Sequence, residues 1–423
     1  MQKFIERQKI QTKDFFYAEN NFWLFLSVGF FTLPFGINFS VIVFIIAGLN
    51  GAIAIYKNYS FNNLTNFHLL FYPLYFSILI FTLIYTEDLK EGMKLVLRSS
   101  ALVFFPIIFL FIHSDYFKVK RIFQFLSIGL LITFFINVFI AFKKSFFFND
   151  EGIIIFDTSL ARGYSFYESF SHGGNHFIGG EFSYFMHPSY LSLYIISTIL
   201  FSISGRNFSK KIFFLIGVLS LYLFLLSARA AFLIIIISPL FFILKKKFRK
   251  KVILFLAFYI VGILFLIINP RILNIYDRLQ DFVEKNNFNY VTSEQARLLT
   301  WKTSFTLILE APVFGYGIGD AKEKLVKKFR TNNYKYNYDH KFNAHNQLLE
   351  SFLQSGSIGA LVLFTIFITT FMKLNYPIEF LLLFTIIIFM SFESMLVRYH
   401  GIIFFSIIMP LLSTKTMFYN SNK

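Results

Sequence analysis

Residues 101–142 read ALVFFPIIFLFIHSDYFKVKRIFQFLSIGLLITFFINVFIAF, two apolar runs on either side of a short basic segment, SDYFKVKR (114–121). An α-helix rises about 1.5 Å per residue, so runs of this size cross a hydrocarbon layer roughly 30 Å thick. Lipid offers no water to satisfy backbone N–H and C=O groups, and a helix satisfies them internally. The stretch therefore predicts two membrane-crossing helices joined by a short, positively charged connection.

Working outward, similar apolar runs recur along the chain. Spans are read at 22–36, 38–56, 67–85, 95–113, 122–142, 187–203, 212–227, 230–244, 252–268, 357–373, 377–391 and 399–413. The 423 residues are 56% hydrophobic, 21% aromatic and only 15% charged, where a soluble chain carries about 25% charged residues. The expectation is an all-α polytopic membrane protein with about 12 transmembrane helices.

The formal net charge of +17 would suit a nucleic-acid binder, but the positions of the charges point elsewhere. SDYFKVKR, GRNFSKK (205–211) and KKKFRKK (245–251) are each squeezed between apolar runs. Basic short loops mark the cytoplasmic side of a membrane, so no nucleic-acid partner is expected. Twelve spans place both termini on that side, together with Lys57, Lys373, Lys415 and Lys423. TEDLKEGM (86–93), with Glu87, Asp88 and Glu91, falls on the other side. There is no cysteine, hence no disulfide and no thiol chemistry. No small-residue cleavage site follows the first apolar run, so that run is expected to stay as an anchor.

The organisation that follows is a cytoplasmic tail (1–21), spans 1–5 (22–142), a first long outer loop (143–186), spans 6–9 (187–268), a large outer loop (269–356), spans 10–12 (357–413) and a cytoplasmic tail (414–423). Loops of this length inside a compact protein are usually functional or disordered, and the aromatics in both argue against disorder.

Four features gather on the outer side. The first is LLSARAAFL (225–233), where Arg229 interrupts two apolar runs; an arginine there must snorkel, pair or bind an anion. The second is SEQARLLTWKTSFTLILEAPVFGYGIGD (293–320). It predicts a helix over about 295–309, capped by Ser293 or Thr292, with Arg297, Trp301 and Ser304 on one face. Pro312 and the glycines 315, 317 and 319 then end it and permit a close backbone approach. The third is NAHNQLLESFLQSGSIG (343–359), in which His345 is the residue type that serves as a general base at neutral pH. Asn346 and Glu350 follow it, and Gly356 and Gly359 allow a bend. The fourth is FESMLVRYHG (392–401), with Glu393, Arg398 and His400.

Each has a plain structural alternative: a topogenic turn for Arg229, a surface helix with a Gly-rich turn, a capping or packing histidine, and an interfacial ion pair among Glu393, Arg398 and His400. His187-Pro188 reads as a span entry. His172 and His176 have metal-ligand spacing, but the intervening glycines and the lack of cysteines disfavour zinc, and no metal or other cofactor is expected. Taken together, two arginines could hold a diphosphate by bidentate, charge-assisted bonds and stabilise a departing phosphate. A histidine beside them could take a proton from an attacking hydroxyl. Aromatics would stack on sugar rings. That combination describes transfer of a glycan from a lipid diphosphate to a hydroxyl.

In these residues the chain resembles the O-antigen ligase and O-antigen polymerase superfamily of bacterial inner-membrane glycan transferases. The resemblance rests on Ser227-Ala228-Arg229, Arg297 with Trp301, Pro312 with Gly315-Tyr316-Gly317-Ile318-Gly319, and His345-Asn346 with Leu349, Gly356 and Gly359, in that order. It covers about residues 187–373. It implies a polytopic glycosyltransferase-like fold whose large helical periplasmic loop roofs the site. It also implies an undecaprenyl diphosphate-linked glycan donor, a glycan or lipid A-core acceptor, inversion at the anomeric carbon and no metal. Arg229 and Arg297 would hold the donor diphosphate and His345 would act as base. Arg162 would be a third phosphate contact. Trp301, Asn346, Glu350, Gly315, Gly317, Gly319 and Arg398 are further donor- or acceptor-binding candidates. Membrane lipids and other polysaccharide-assembly proteins are the implied partners. The family commonly has Ser directly before the arginine, and here Ala228 intervenes. A transporter or flippase without covalent chemistry is the alternative; it would place polar groups at the membrane midplane in repeat-related halves, and no repeat is visible.

Overall fold

The computed structural model describes residues 18–57, 66–112, 114–148, 151–165, 168–171, 174–204, 209–243 and 293–414. The expected ninth span (252–268), the first part of the large loop, the KKKFRKK run, His172 and most of both tails lie outside the described residues.

Among the described residues the chain is mostly helical, and helices occupy the apolar runs. They are α1 (18–32), α2 (Ile37–Lys57), α3 (Phe67–Ile84), α4 (Leu89–Ser99) running directly into α5 (Ala101–Phe111), α6 (Tyr116–Ser145), a short α7 (Glu168–Ser171), α8 (Pro188–Ser204), α9 (Lys210–Leu226) and α10 (Arg229–Ile243). From residue 293 onward come α11 (Ser293–Glu310), α12 (Ala321–Thr331), α13 (Lys335–Asp339), α14 (Gln347–Lys373), α15 (Pro377–Phe392) and α16 (Tyr399–Ser413).

Among the described residues, five segments are long and apolar enough to cross a membrane: Ile37–Lys57, Phe67–Ile84, Leu89–Phe111, Tyr116–Ser145 and Gln347–Lys373. Pro188–Ser204, Arg229–Ser238, Pro377–Phe392 and Tyr399–Ser413 are apolar but shorter. Five of the expected crossings thus have spanning length among the described residues, and others are shorter. The reason is geometric: 15 residues, the length of α16, rise only about 22 Å at ~1.5 Å each. α16 lies inside the protein: from Gly401 to Ser413 every residue is buried. It packs on α5 and α14, while α14 also packs on α3 and α15 on α8 and α10.

Two departures from the expected layout bear on the site. The 357–373 span begins ten residues early, because Asn346 caps the helix by accepting from the N–H groups of Leu348 (2.9 Å) and Leu349 (3.1 Å). α14 then breaks at Gly356, whose φ of 61° and ψ of −160° leave helical space. The first long loop also opens with a two-stranded antiparallel hairpin, β1 (Phe146–Phe148) and β2 (Ile154–Phe156), with Phe147 opposite Ile155. Aromatic and β-branched residues favour such pairing.

The segment 293–356 has its own small core, in which Leu299, Leu307, Leu325, Phe329, Leu349 and Leu353 meet. Asn337 ties it together, its buried amide donating to Ala296 O (2.7 Å) and Thr300 Oγ1 (2.8 Å). Asp320 docks this unit on the spans, its two oxygens accepting from the backbone N–H groups of Glu87 (2.7 Å) and Asp88 (2.9 Å).

Candidate functional site

α15 ends at Phe392, and Glu393 caps it with extended backbone (φ −143°). The Glu393 side chain is 7% exposed, and three other parts of the chain converge on it. Arg297 Nη2, from α11, donates to Oε1 at 3.1 Å. His345 Nδ1, from the turn before α14, lies 3.4 Å from Oε2, an ion-pair distance too long for a well-formed hydrogen bond. From the start of α8, Ser189 Oγ donates to Oε1 at 3.4 Å and His187 Nδ1 stands 4.0 Å away.

Burial alone would raise the pKa of Glu393. Contact with the His345 ring and the Arg297 guanidinium outweighs it and holds the carboxyl down to about 2. Glu393 is therefore an anion at any physiological pH. That fixed charge favours the His345 tautomer with its proton on Nδ1, which leaves Nε2 to accept one. His187 Nδ1 accepts from the Ser189 N–H at 3.4 Å, as a neutral ring can.

His345 adopts a left-handed backbone (φ 45°). For a residue with a side chain this costs on the order of 1–3 kcal/mol, and such strain persists only where the surroundings impose it. They do so here: the Ala344 N–H donates to Glu350 Oε2 (3.0 Å), Asn346 caps α14, and the Phe342 ring meets the imidazole edge-on at 5.0 Å. Glu350 is a clamp rather than a second charged partner, for its oxygens also accept from Ser394 Oγ (3.0 Å) and Gln354 Nε2 (3.2 Å). It thereby locks the His345 turn to the turn that carries Glu393. Gln347 Oε1 adds a second lock by accepting from the Leu396 N–H.

Trp301 follows Arg297 by one turn and packs on Phe392, ring centroids 6.2 Å apart, so this face of α11 meets the end of α15. Asn346 Nδ2 reaches Ser391 O on the same helix end (3.2 Å). Arg229 opens α10 after Ser227, whose left-handed conformation (φ 49°) ends α9; α10 packs on α8 and α15, the helices that carry His187 and Glu393. The ion pair read among Glu393, Arg398 and His400 takes another form. Glu393 pairs with Arg297, and the short helix Met395–Val397 carries Arg398 round to face a cavity.

The glycine run docks on protein. Tyr316 and Gly317 donate to Leu353 O (2.8 Å) and Gln354 O (3.1 Å), and the Ile318 N–H donates to Thr82 Oγ1 (3.1 Å). Gly315 (φ 68°) sits so close to the α14 break that a Cβ would lie 2.6 Å from Leu353 O and 2.7 Å from Gly356 N. The close approach foreseen for these glycines is thus to the break in α14 and the α3–α4 turn. Arg162 stands apart, exposed, its guanidinium 4.0 Å from the centre of the Phe147 ring on the hairpin.

The cavity measures about 1240 Å³ and is bordered by His345, His187, Arg398 and the start of α14. His187 and the true partner of Glu393 escaped the sequence reading. The available signal was a shared location: His187, Arg297, His345 and Glu393 all fall on the same expected side.

The fold and site define a helical membrane protein in which a buried carboxylate joins a histidine and an arginine beside a large cavity. Residues 212–364 match the family described as O-antigen ligase, bearing out the resemblance read from the motifs. That stretch contains Arg229, Arg297, the glycine run and His345; His187 and Glu393 lie outside it. The chain is also 32% identical over 130 residues to an uncharacterized protein of Haemophilus influenzae (strain ATCC 51907 / DSM 11121 / KW20 / Rd). The match covers 29% of this chain and 31% of that relative.

Proposed function

We propose that this protein transfers a glycan from undecaprenyl diphosphate to a hydroxyl acceptor, either a glycan or a lipid A core, at the periplasmic face of the bacterial inner membrane. Both termini would be cytoplasmic, following the basic loops. The observation that carries the reading is Glu393, which holds His345 and Arg297 together inside a membrane protein with an O-antigen ligase match.

In this reading the His345 Nε2 takes the proton as the acceptor oxygen bonds to the anomeric carbon. The bond from that carbon to the diphosphate oxygen breaks on the opposite face, inverting the centre. The negative charge left on the lipid diphosphate is met by Arg297 and Arg229. Arg297 commits Nη2 to Glu393, one of five donors on its guanidinium. Both arginines keep their charge throughout, so charge neutralisation in this scheme needs no metal.

The test is transfer by the purified protein in detergent from a lipid-diphosphate glycan, with and without EDTA. His345→Ala and Arg297→Ala are each expected to lose at least about 100-fold in turnover while still inserting in the membrane. Full activity in both variants would remove the mechanism. EDTA inhibition reversed by a divalent ion would remove its metal independence.

A further inference from the structure

The C-terminal half of α6 carries an apolar surface that the candidate site does not use. Ile128, Ile132, Phe135, Phe139 and Phe142 are exposed and recur at intervals of four and three residues, so they form one stripe along the helix. The stripe runs on into the β1–β2 hairpin, where the Phe156 ring stacks on Phe142 with centroids 6.1 Å apart and the Phe146 ring lies 4.9 Å from Phe156. Side chains alternate across a strand, so Phe146 and Phe148 share a face with their cross-strand partners Phe156 and Ile154. All four are exposed, Phe148 at 70% and Ile154 at 62%. On the opposite face the Arg162 guanidinium lies over the Phe147 ring.

The depth of this face follows from α6 itself. From Arg121, in the basic connection, to Lys143 the helix rises about 33 Å at ~1.5 Å per residue, close to the ~30 Å of a hydrocarbon layer. Lys143 and Lys144, in the last turn of α6, therefore stand at headgroup level, where aromatic rings are also favoured. The hairpin begins there. Its sheet has two strands, so both outer edges present N–H and C=O groups that the sheet does not pair. Hydrocarbon excludes such open edges, whereas the headgroup layer hydrates them. An apolar face with two wet edges thus suits the interface, and neither the membrane core nor open water. The Asp157 N–H donates to Ser145 O (2.9 Å), closing the hairpin onto the end of α6, and the His176 N–H donates to Thr158 O (3.0 Å), tying the hairpin to the segment that leads to His187.

We infer that the β1–β2 hairpin is a membrane-surface anchor. Phe146, Phe148, Ile154 and Phe156 lie in the boundary between headgroups and acyl chains, in the leaflet at the C-terminal end of α6, and the strand edges stay in the headgroup layer. A lipid surface is the occupant because the apolar face continues the exposed stripe of a membrane-crossing helix and sits at headgroup height. The first long loop is then held against lipid at its start, and the part after Asp157 returns to His187. Arg162 acquires a structural role, shielding the ring of Phe147 on the side turned away from the lipid. The inference does not depend on the transfer chemistry.

The chain has no cysteine, so a single one introduced into the full-length protein carries a fluorescent label without a background. Phe148→Cys and Ile154→Cys are labelled with nitrobenzoxadiazole in vesicles of phosphatidylethanolamine and phosphatidylglycerol, beside Lys327→Cys on α12, whose side chain is well exposed. Both hairpin labels are expected to be quenched by lipids carrying a nitroxide near the carboxyl end of the acyl chain, and to be at least about twofold less accessible to aqueous iodide than the label at Lys327. With the label at Ile154→Cys, adding Phe148→Asp should cut the lipid quenching about twofold, while Phe148→Trp should keep it. Should one hairpin variant fold poorly, the other repeats the measurement. Iodide access equal to that at Lys327 overturns the inference. Stronger quenching by a nitroxide at the far end of the acyl chain would put the hairpin in the core and overturn it. Labels shielded from both quenchers would give the face to protein instead, with oxidative cross-linking of Phe148→Cys between two molecules identifying a second copy, and would likewise overturn it.

Discussion

Glu350 and Glu393 stand on neighbouring turns that are bonded to each other, and both are buried, at 3% and 5% exposed. Their surroundings differ in kind. Glu350 is met by a backbone N–H, a serine hydroxyl and a glutamine amide, all neutral donors. Glu393 is met by an arginine, two histidines and a serine. A carboxylate ringed by neutral donors fixes backbone, because each donor belongs to a turn that must hold its shape. One ringed by titratable or cationic groups fixes charge and tautomer as well, which is what a proton-transfer site requires.

Charge removal without change of size gives the largest expected contrast. Glu393→Gln is predicted to lower transfer by about 100-fold or more and to alter the pH profile, because the His345 tautomer loses its orienting anion. Glu350→Gln is predicted to leave turnover within about threefold and to cost on the order of 1–3 kcal/mol of stability through its lost acceptor. Equal activity losses in both would erase the distinction. The readout is kcat against KM over pH, beside denaturant melts of the same preparations.

Acid stability sharpens the contrast from another side. The pKa of Glu393 is depressed on folding, so its stabilisation is complete above the ordinary carboxyl value of 4.5 and is lost as pH falls through about 2. Wild-type protein should therefore weaken steadily on acidification, with the stretch below pH 4.5 flatter in Glu393→Gln. Melts at stepped pH check this, and an unchanged slope would sink it.

A smaller loss is predicted for Gly315→Ala, where a Cβ at positive φ would press on Leu353 O and Gly356 N. About 1–3 kcal/mol of strain is expected there, and activity should recover at lower temperature if the loop only positions α14. Smallest of all is Arg162→Ala. That side chain sits on Phe147 in an exposed hairpin, so turnover should stay within about twofold; a large loss would restore it as a phosphate contact.

The extent to which the sequence was legible follows the range of each interaction. Apolar runs report burial in lipid residue by residue, so helices were legible nearly everywhere within the described residues. The i, i+4 pairing of Arg297 with Trp301 is likewise a local periodicity, and the shared face exists. The ends of α14 were less legible. Hydropathy marks where a helix becomes apolar, whereas Asn346 starts it by hydrogen bonding ten residues earlier.

The chain by itself determined the material of this protein: membrane helices, positively charged connections, and arginine, histidine and glycine motifs in a recognisable order. Periodicity and composition carry that information because each depends on near neighbours alone. Only the tertiary structure decided that Glu393 answers Arg297 rather than Arg398, that His187 joins the site, and that the glycines brace a break in α14. Those pairings join residues far apart in sequence; Arg297 and Glu393, for example, are 96 residues apart. No local pattern encodes them, because what brings the partners together is the packing of whole helices.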